Sequence, residues 1–125
     1  KGRLRQMRME RSRRRMIQAV PEATVVIMNP THYAVALRYE PGETAAPMCV
    51  AKGMDDIALK IREVAEDNGV EVIEDPPLAR ALYATVEIDR QIPEEHFQAV
   101  AKVIGFVMNR RRKVAAPRRA RASAL

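Results

Sequence analysis

The sequence predicts an α/β domain: a small mixed four-stranded sheet covered by helices, preceded by a basic N-terminal helical arm. Three observations carry this. Residues 24–28 form a short continuous apolar run, the pattern of a buried central strand. Tyr33, Val35, Leu37 and Tyr39 then alternate at period two, the pattern of a second strand over 32–39. Beyond them, apolar residues at helical spacing recur between Gly, Pro and Asp punctuation.

The elements follow in order. Residues 3–19 read as an Arg-rich helix whose apolar groups (Leu4, Met7, Met9, Met16 and Ile17) are scattered. They make no full apolar face to pack on a core. Residues 40–47 are a loop by composition. Residues 48–52 form a third strand, ended by Gly53. Asp55 or Asp56 caps the next helix, which runs to about Asn68 with a stripe of Ile57, Ile61, Val64 and Ala65. Gly69 is placed as its stop. Residues 70–74 form the fourth strand, paired in parallel with the third if the two are adjacent. Asp75 caps a helix opened by Pro76 and Pro77, where proline costs least. Leu78, Leu82, Tyr83 and Val86 give that helix its apolar face. Pro93 opens the last helix, with a wide stripe of Phe97, Val100, Ala101, Ile104, Val107 and Met108. From Val114 the mixture of Ala, Arg, Ser and Pro reads as a disordered tail. The chain thus divides into a basic helical linker (1–20), a folded domain (21–110) and a basic tail (111–125).

Composition narrows the function. The 125 residues suffice for one domain with a modest core. No run of about eighteen apolar residues offers a membrane span. The chain starts at Lys1 without a signal-peptide pattern, which reads as a fragment of a longer protein. One cysteine, Cys49, forms no internal disulfide framework and sits in an apolar run as a small buried thiol. One cysteine and two histidines argue against a zinc site, and no cofactor is implied. The net charge of +6 belongs to the ends. Residues 1–15 hold eight basic residues and one acid, and 110–125 hold seven and none. The middle, 16–109, keeps seven basic and fifteen acidic residues, a net charge of −8. An acidic core without Trp argues against a nucleic-acid-binding module, although the two basic arms alone would suggest one.

The chemistry concentrates at Asn29-Pro30-Thr31-His32. Asn commonly deamidates when the next backbone nitrogen attacks its side-chain carbonyl. Pro30 has no N–H, so that route is closed. The reverse attack stays open. The Asn29 amide nitrogen can attack the Asn29 backbone carbonyl, closing a succinimide and breaking the bond to Pro30. His32 can move the proton near neutral pH. Asn and Pro favour the first two positions of a β-turn, so Asn29 to His32 can form one tight turn. Asn-Pro alone, however, is an ordinary turn signal, and most such pairs never cleave.

The surroundings add weight. Residues 25–39 read Val-Val-Ile-Met-Asn-Pro-Thr-His-Tyr-Ala-Val-Ala-Leu-Arg-Tyr. Val50-Ala51-Lys52-Gly53 precedes a helix, and Asp75-Pro76-Pro77-Leu78-Ala79-Arg80-Ala81-Leu82-Tyr83 follows. Val86-Glu87-Ile88 then leads to Ile92-Pro93-Glu94-Glu95. Together, over residues 24–109, these closely resemble the cytoplasmic domain of the FlhB/YscU family, the substrate-specificity switch proteins of flagellar and type III secretion export. Tyr33 and the run to Tyr39 resemble the flagellar branch more than the injectisome branch, which has the same switch role. The resemblance implies a four-stranded sheet surrounded by helices and transmembrane helices upstream, in a bacterial inner-membrane protein whose present domain is cytoplasmic. It implies that Asn29 is the internal nucleophile, Asn29–Pro30 the bond cut, His32 the proton carrier and Thr31 a turn residue. Such a reaction is a single-turnover self-modification, not an enzyme activity. The partners implied are the export-gate membrane protein, the hook-length control protein and export substrates. Just inside a membrane, the Arg-rich arm would fit the positive-inside rule and could touch anionic lipid.

Other residues have plain readings. His96 reads as a surface histidine. Glu40, Glu43, Glu71, Glu74 and Asp75 could form an acidic docking face, but ordinary solvated loop charge explains them better. Lys52 and Arg80 have no role assignable from sequence.

Overall fold

A computed structural model of the chain describes residues 2–30 and 32–124, with side chains through Arg112. Four strands form one sheet: β1 (Val25–Asn29), β2 (Tyr33–Arg38), β3 (Met48–Met54) and β4 (Glu71–Glu74). Four α-helices accompany them: α1 (Gly2–Ala19), α2 (Asp56–Asp67), α3 (Pro76–Thr85) and α4 (Phe97–Ala124). The strand order is β3-β2-β1-β4. β1 pairs antiparallel with β2 and parallel with β4, and β2 pairs antiparallel with β3. The sheet is therefore mixed, as the sequence predicts.

One expectation changes. β3 and β4 are not neighbours; they form opposite edges, and α2 carries the chain across the sheet between them. β4 docks on β1 instead. The reason lies in burial. β1 is apolar at every position from Val25 to Met28, so it needs partners on both sides and helices on both faces.

Two apolar layers sandwich the sheet. Val25, Ile27, Val35 and Leu37 face one layer with Leu78, Leu82, Val100, Ile104 and Val107 of α3 and α4. Val26, Met28, Ala34 and Ala36 face the other, with Ile61 and Ala65 of α2 and Met16 of α1. The alternation along β1 and β2 is the strand period of two. A bulge in β3 opposite Ala36 and Leu37 interrupts it, so Cys49 enters the first layer and Ala51 the second.

The α1 arm is exposed along most of its length, as its scattered apolar residues predict. Its last turn is the exception. Met16 is buried and its Sδ accepts the Lys52 N–H at 3.4 Å, so packing begins before residue 21. β3 does not stop at Gly53 but continues to Met54. Gly53 is needed for close approach rather than termination: a Cβ there would lie 2.2 Å from Ile57 Cγ2. Gly69, with φ of +70°, does end α2. Asp75 caps α3 by accepting Leu78 N–H at 3.2 Å. Pro93 precedes a 3-10 turn, Glu94–His96, that leads into α4.

The wide stripe of α4 divides. Val100, Ile104 and Val107 are buried, while Phe97 stays 37% exposed beside Ala101, Tyr39, Ala46 and Pro47 in a shallow groove. α4 is assigned to Ala124, and the tail that composition places from residue 111 lies mostly beyond the last described side chain, Arg112.

Candidate functional site

The hairpin between β1 and β2 is the candidate site. Asn29 ends β1 and pairs with Tyr33, the first residue of β2. The connection is therefore three residues long. Its closing bond runs from the His32 N–H to the Asn29 carbonyl oxygen at 2.9 Å. This is the first-to-fourth bond of a β-turn over Asn29 to His32, as the Asn-Pro signature predicts. Asn29 and Pro30 are half-buried and His32 is exposed. Thr31 lies outside the described residues.

The bond has a chemical consequence. The carbonyl that accepts it belongs to the Asn29–Pro30 peptide. A donor at 2.9 Å polarises that carbonyl and faces the oxygen that turns negative when its carbon is attacked. Sequence reading gave His32 a side-chain role and missed this backbone one.

The turn is held from three sides. Val25 to Asn29 pair with Leu37 to Tyr33 on the β2 side. Val25 to Met28 pair with Glu71 to Glu74 on the β4 side, and Asp75 N–H extends that ladder to the Met28 carbonyl at 2.9 Å. The third hold comes from the start of α2, where Asp55 N–H donates to the His32 carbonyl at 2.9 Å.

Asp55 departs from its expected role. It occupies the cap position of α2, yet its side chain takes no helix amide. Its carboxylate Oδ1 instead lies 3.9 Å from His32 Nδ1. Its backbone sits at φ 51°, ψ −117°, a region that glycine enters readily and other residues seldom do. The sequence held a faint signal: of two adjacent aspartates before a helix, only one can stand at the cap.

Lys52, without a role from sequence, has a clear one here. Its Nζ donates to the carbonyls of Tyr83 at 3.1 Å and Val86 at 2.8 Å, at the C-terminal end of α3. A cation there satisfies free carbonyls and complements the helix dipole. The same ammonium stands 5.0 Å from the Tyr83 ring centre, and Tyr83 packs on Tyr33 with centroids 4.7 Å apart. The residue following the turn is thereby fixed to α3.

His96 corrects another expectation. Its side chain is only 13% exposed, and Nε2 lies 2.9 Å from Thr85 Oγ1. It joins the end of α3 to the start of α4 and is not a free surface histidine. Three of the five acidic residues have partners within the fold. Glu43 pairs with Arg38, Glu71 with Arg110, and Asp75 is a helix cap. Cys49 is buried, and that burial pushes its thiol up from 9.0 to about 12. A neutral thiol in that position is a packing group, not a nucleophile.

Both the sequence and the fold match known proteins. Residues 1–107 match the model of the FlhB HrpN YscU SpaS family, and the chain belongs to that family. It is 48% identical over 114 residues to the flagellar biosynthetic protein FlhB of Bacillus subtilis, covering 91% of this chain and 32% of that protein. With FlhB of Escherichia coli it shares 50% identity over 112 residues, covering 90% and 29%. The chain thus spans about a third of the length of the curated relatives it matches. Its fold superposes on the crystal structure of the cytoplasmic domain of FlhB from Shewanella putrefaciens with a TM-score of 0.77 and 48% identity, covering 82% of this chain and 79% of that one. A mutated EscU C-terminal domain gives a TM-score of 0.71 at 38% identity, covering 74% and 92%. Among the described residues, no helix is long and apolar enough to cross a membrane.

Proposed function

We propose that this chain is the cytoplasmic domain of a flagellar export-apparatus protein of the bacterial inner membrane. It cuts itself once between Asn29 and Pro30 and takes part in the switch from rod and hook substrates to filament substrates. The observation that carries the scission is the His32 N–H bond to the Asn29 carbonyl, made in a turn clamped between two strands. The higher identity to FlhB than to EscU supports the flagellar branch.

Asn29 Nδ2 attacks the Asn29 backbone carbonyl carbon, and a new C–N bond closes a five-membered ring. The carbonyl oxygen gains negative charge against the His32 N–H. His32 takes a proton from Nδ2 and delivers it to the Pro30 nitrogen, which leaves as a secondary amine. Water then opens the succinimide at the new C-terminus. The strands contribute by holding amide and carbonyl of one residue in register, which raises the effective molarity. Each chain reacts once.

The cut need not separate the halves. Val25, Val26, Ile27 and Met28 are all fully buried, and each such side chain is worth roughly 1.5–3 kcal/mol. Scission removes one covalent link at a half-buried turn and leaves both ladders of β1 intact. The freed ends at Asn29 and Pro30 would change the surface that export partners read. Those partners are the export-gate membrane protein, the hook-length control protein and export substrates. The exposed Arg face of α1 suits a position just inside the membrane, against anionic headgroups.

The test compares two separations of the wild-type chain. A denaturing gel should give two bands, while gel filtration under native conditions should give one species. A single denatured band after long incubation at neutral pH removes the scission reading.

A further inference from the structure

Among the described residues, Asp55 engages His32 through both backbone and side chain. Its N–H donates to the His32 carbonyl at 2.9 Å, and its carboxylate Oδ1 stands 3.9 Å from His32 Nδ1. Two structural costs accompany this arrangement. The backbone occupies φ 51°, ψ −117°, and the carboxylate forgoes the amides of α2 that an aspartate at a cap position ordinarily accepts. Neither cost is explained by the packing of α2, whose buried stripe begins at Ile57 and Ala58. Asp55 is the single residue linking β3 to α2, and in that sharp link its carboxylate is directed at His32 instead of the α2 amides.

Building on the scission reading, we propose that Asp55 is a positioning residue for His32. Its carboxylate accepts Nδ1–H as the pair closes from 3.9 Å to hydrogen-bond distance, a tightening common when catalytic groups engage their substrate. That bond selects the tautomer with its proton on Nδ1. The Nε2 lone pair is then free to take the proton leaving Asn29 Nδ2. Asp55 itself neither gains nor loses a proton; the proton passes from Nδ2 to Nε2 and on to the Pro30 nitrogen. The logic is that of a base oriented by a third group. The histidine and aspartate side chains are 63% and 64% exposed, so solvent screens the pair and its effect on rate is modest.

The test uses the full chain and two variants. Asp55→Gly removes the carboxylate while suiting the backbone conformation, so the fold is kept or strengthened. Asp55→Asn keeps the size and the tolerance of that conformation but removes the charge. Both should slow scission about two- to fivefold, the range of an exposed charge pair, without a lower melting temperature. Nitrogen NMR of His32, recorded in an uncleavable Asn29→Ala background, should show the Nε2–H tautomer gaining population when Asp55 becomes Gly. Wild-type scission rates in both variants overturn the proposal and leave the scission reading standing. Slower scission with an unchanged tautomer ratio assigns Asp55 a backbone role only, which also overturns it. No scission in the wild type removes both.

Discussion

Strand β2 leaves the sheet through two very different connections. At one end, three residues join it to β1, and the turn is secured by distant parts of the chain. Asp55 binds the His32 carbonyl, Asp75 binds the Met28 carbonyl, and Tyr83 packs on Tyr33. At the other end, residues 39–47 form a longer loop whose ends are tied to Thr24 and Ile92 but whose middle, residues 40–44, is secured by its own bonds. Glu43 and Thr44 N–H both donate to the Glu40 carbonyl at 3.0 Å, Thr44 Oγ1 accepts Glu40 N–H, and Arg38 pairs with Glu43. The difference teaches where a chain can be cut. The middle of the 39–47 loop depends on local bonds, so a cut there would release it. The Asn29–Pro30 turn is held from outside, so a cut there would leave both ends anchored.

The contrast can be broken most completely at Asn29. Asn29→Ala removes the attacking amide, and scission should stop altogether while the melting temperature stays near that of the parent. A gel and a thermal melt read both. Next in size is Gly53→Ala, which forces a Cβ to within 2.2 Å of Ile57 Cγ2. Overpacking of this kind costs about 1–3 kcal/mol, measurable by urea unfolding. It also displaces Asp55, so scission should slow, whereas the 39–47 loop is untouched.

The loop end of β2 can be probed through Cys49, which pairs with Leu37. Burial raises its thiol from 9.0 to about 12. The unfolded chain therefore releases this proton at lower pH than the folded one. Its contribution to stability is complete below pH 9 and is lost as pH rises from there to about 12. The loss should be of order 1 kcal/mol per pH unit in that window, and Cys49→Val should lack it when the two chains are compared by urea unfolding. Smallest is Glu43→Gln, which removes a pair exposed to solvent. Stability should shift by less than about 0.5 kcal/mol, and the scission rate should not change.

Much of the fold was legible because its signals are local. The fully apolar run of β1, the alternation of β2, the Gly69 stop and the Asp75 cap each follow from a few neighbouring residues. Strand order was not legible. Whether β4 joins β3 or β1 depends on which strand lacks a partner after the hairpins form, and that is a property of the whole sheet. Gly53 misled for a related reason: it reads as a strand terminus, but its need arises from Ile57 across the next turn. At the site, the Asn29, Pro30 and His32 pattern was visible from spacing and turn preference. The supports were not. Asp55 looks like a helix cap until the direction of its side chain is known. Lys52 is silent until α3 brings its free carbonyls to β3. His96, ordinary in sequence, is mostly enclosed because Thr85 stands opposite it.

The proposed scission is a break at one peptide bond, Asn29–Pro30. The most direct measurement is intact mass spectrometry of the wild-type chain, denatured after incubation at neutral pH. Two masses are expected, one for a fragment ending at Asn29 or its succinimide and one for a fragment beginning at Pro30. A single mass for the unbroken chain, or a break at any other bond, would contradict it.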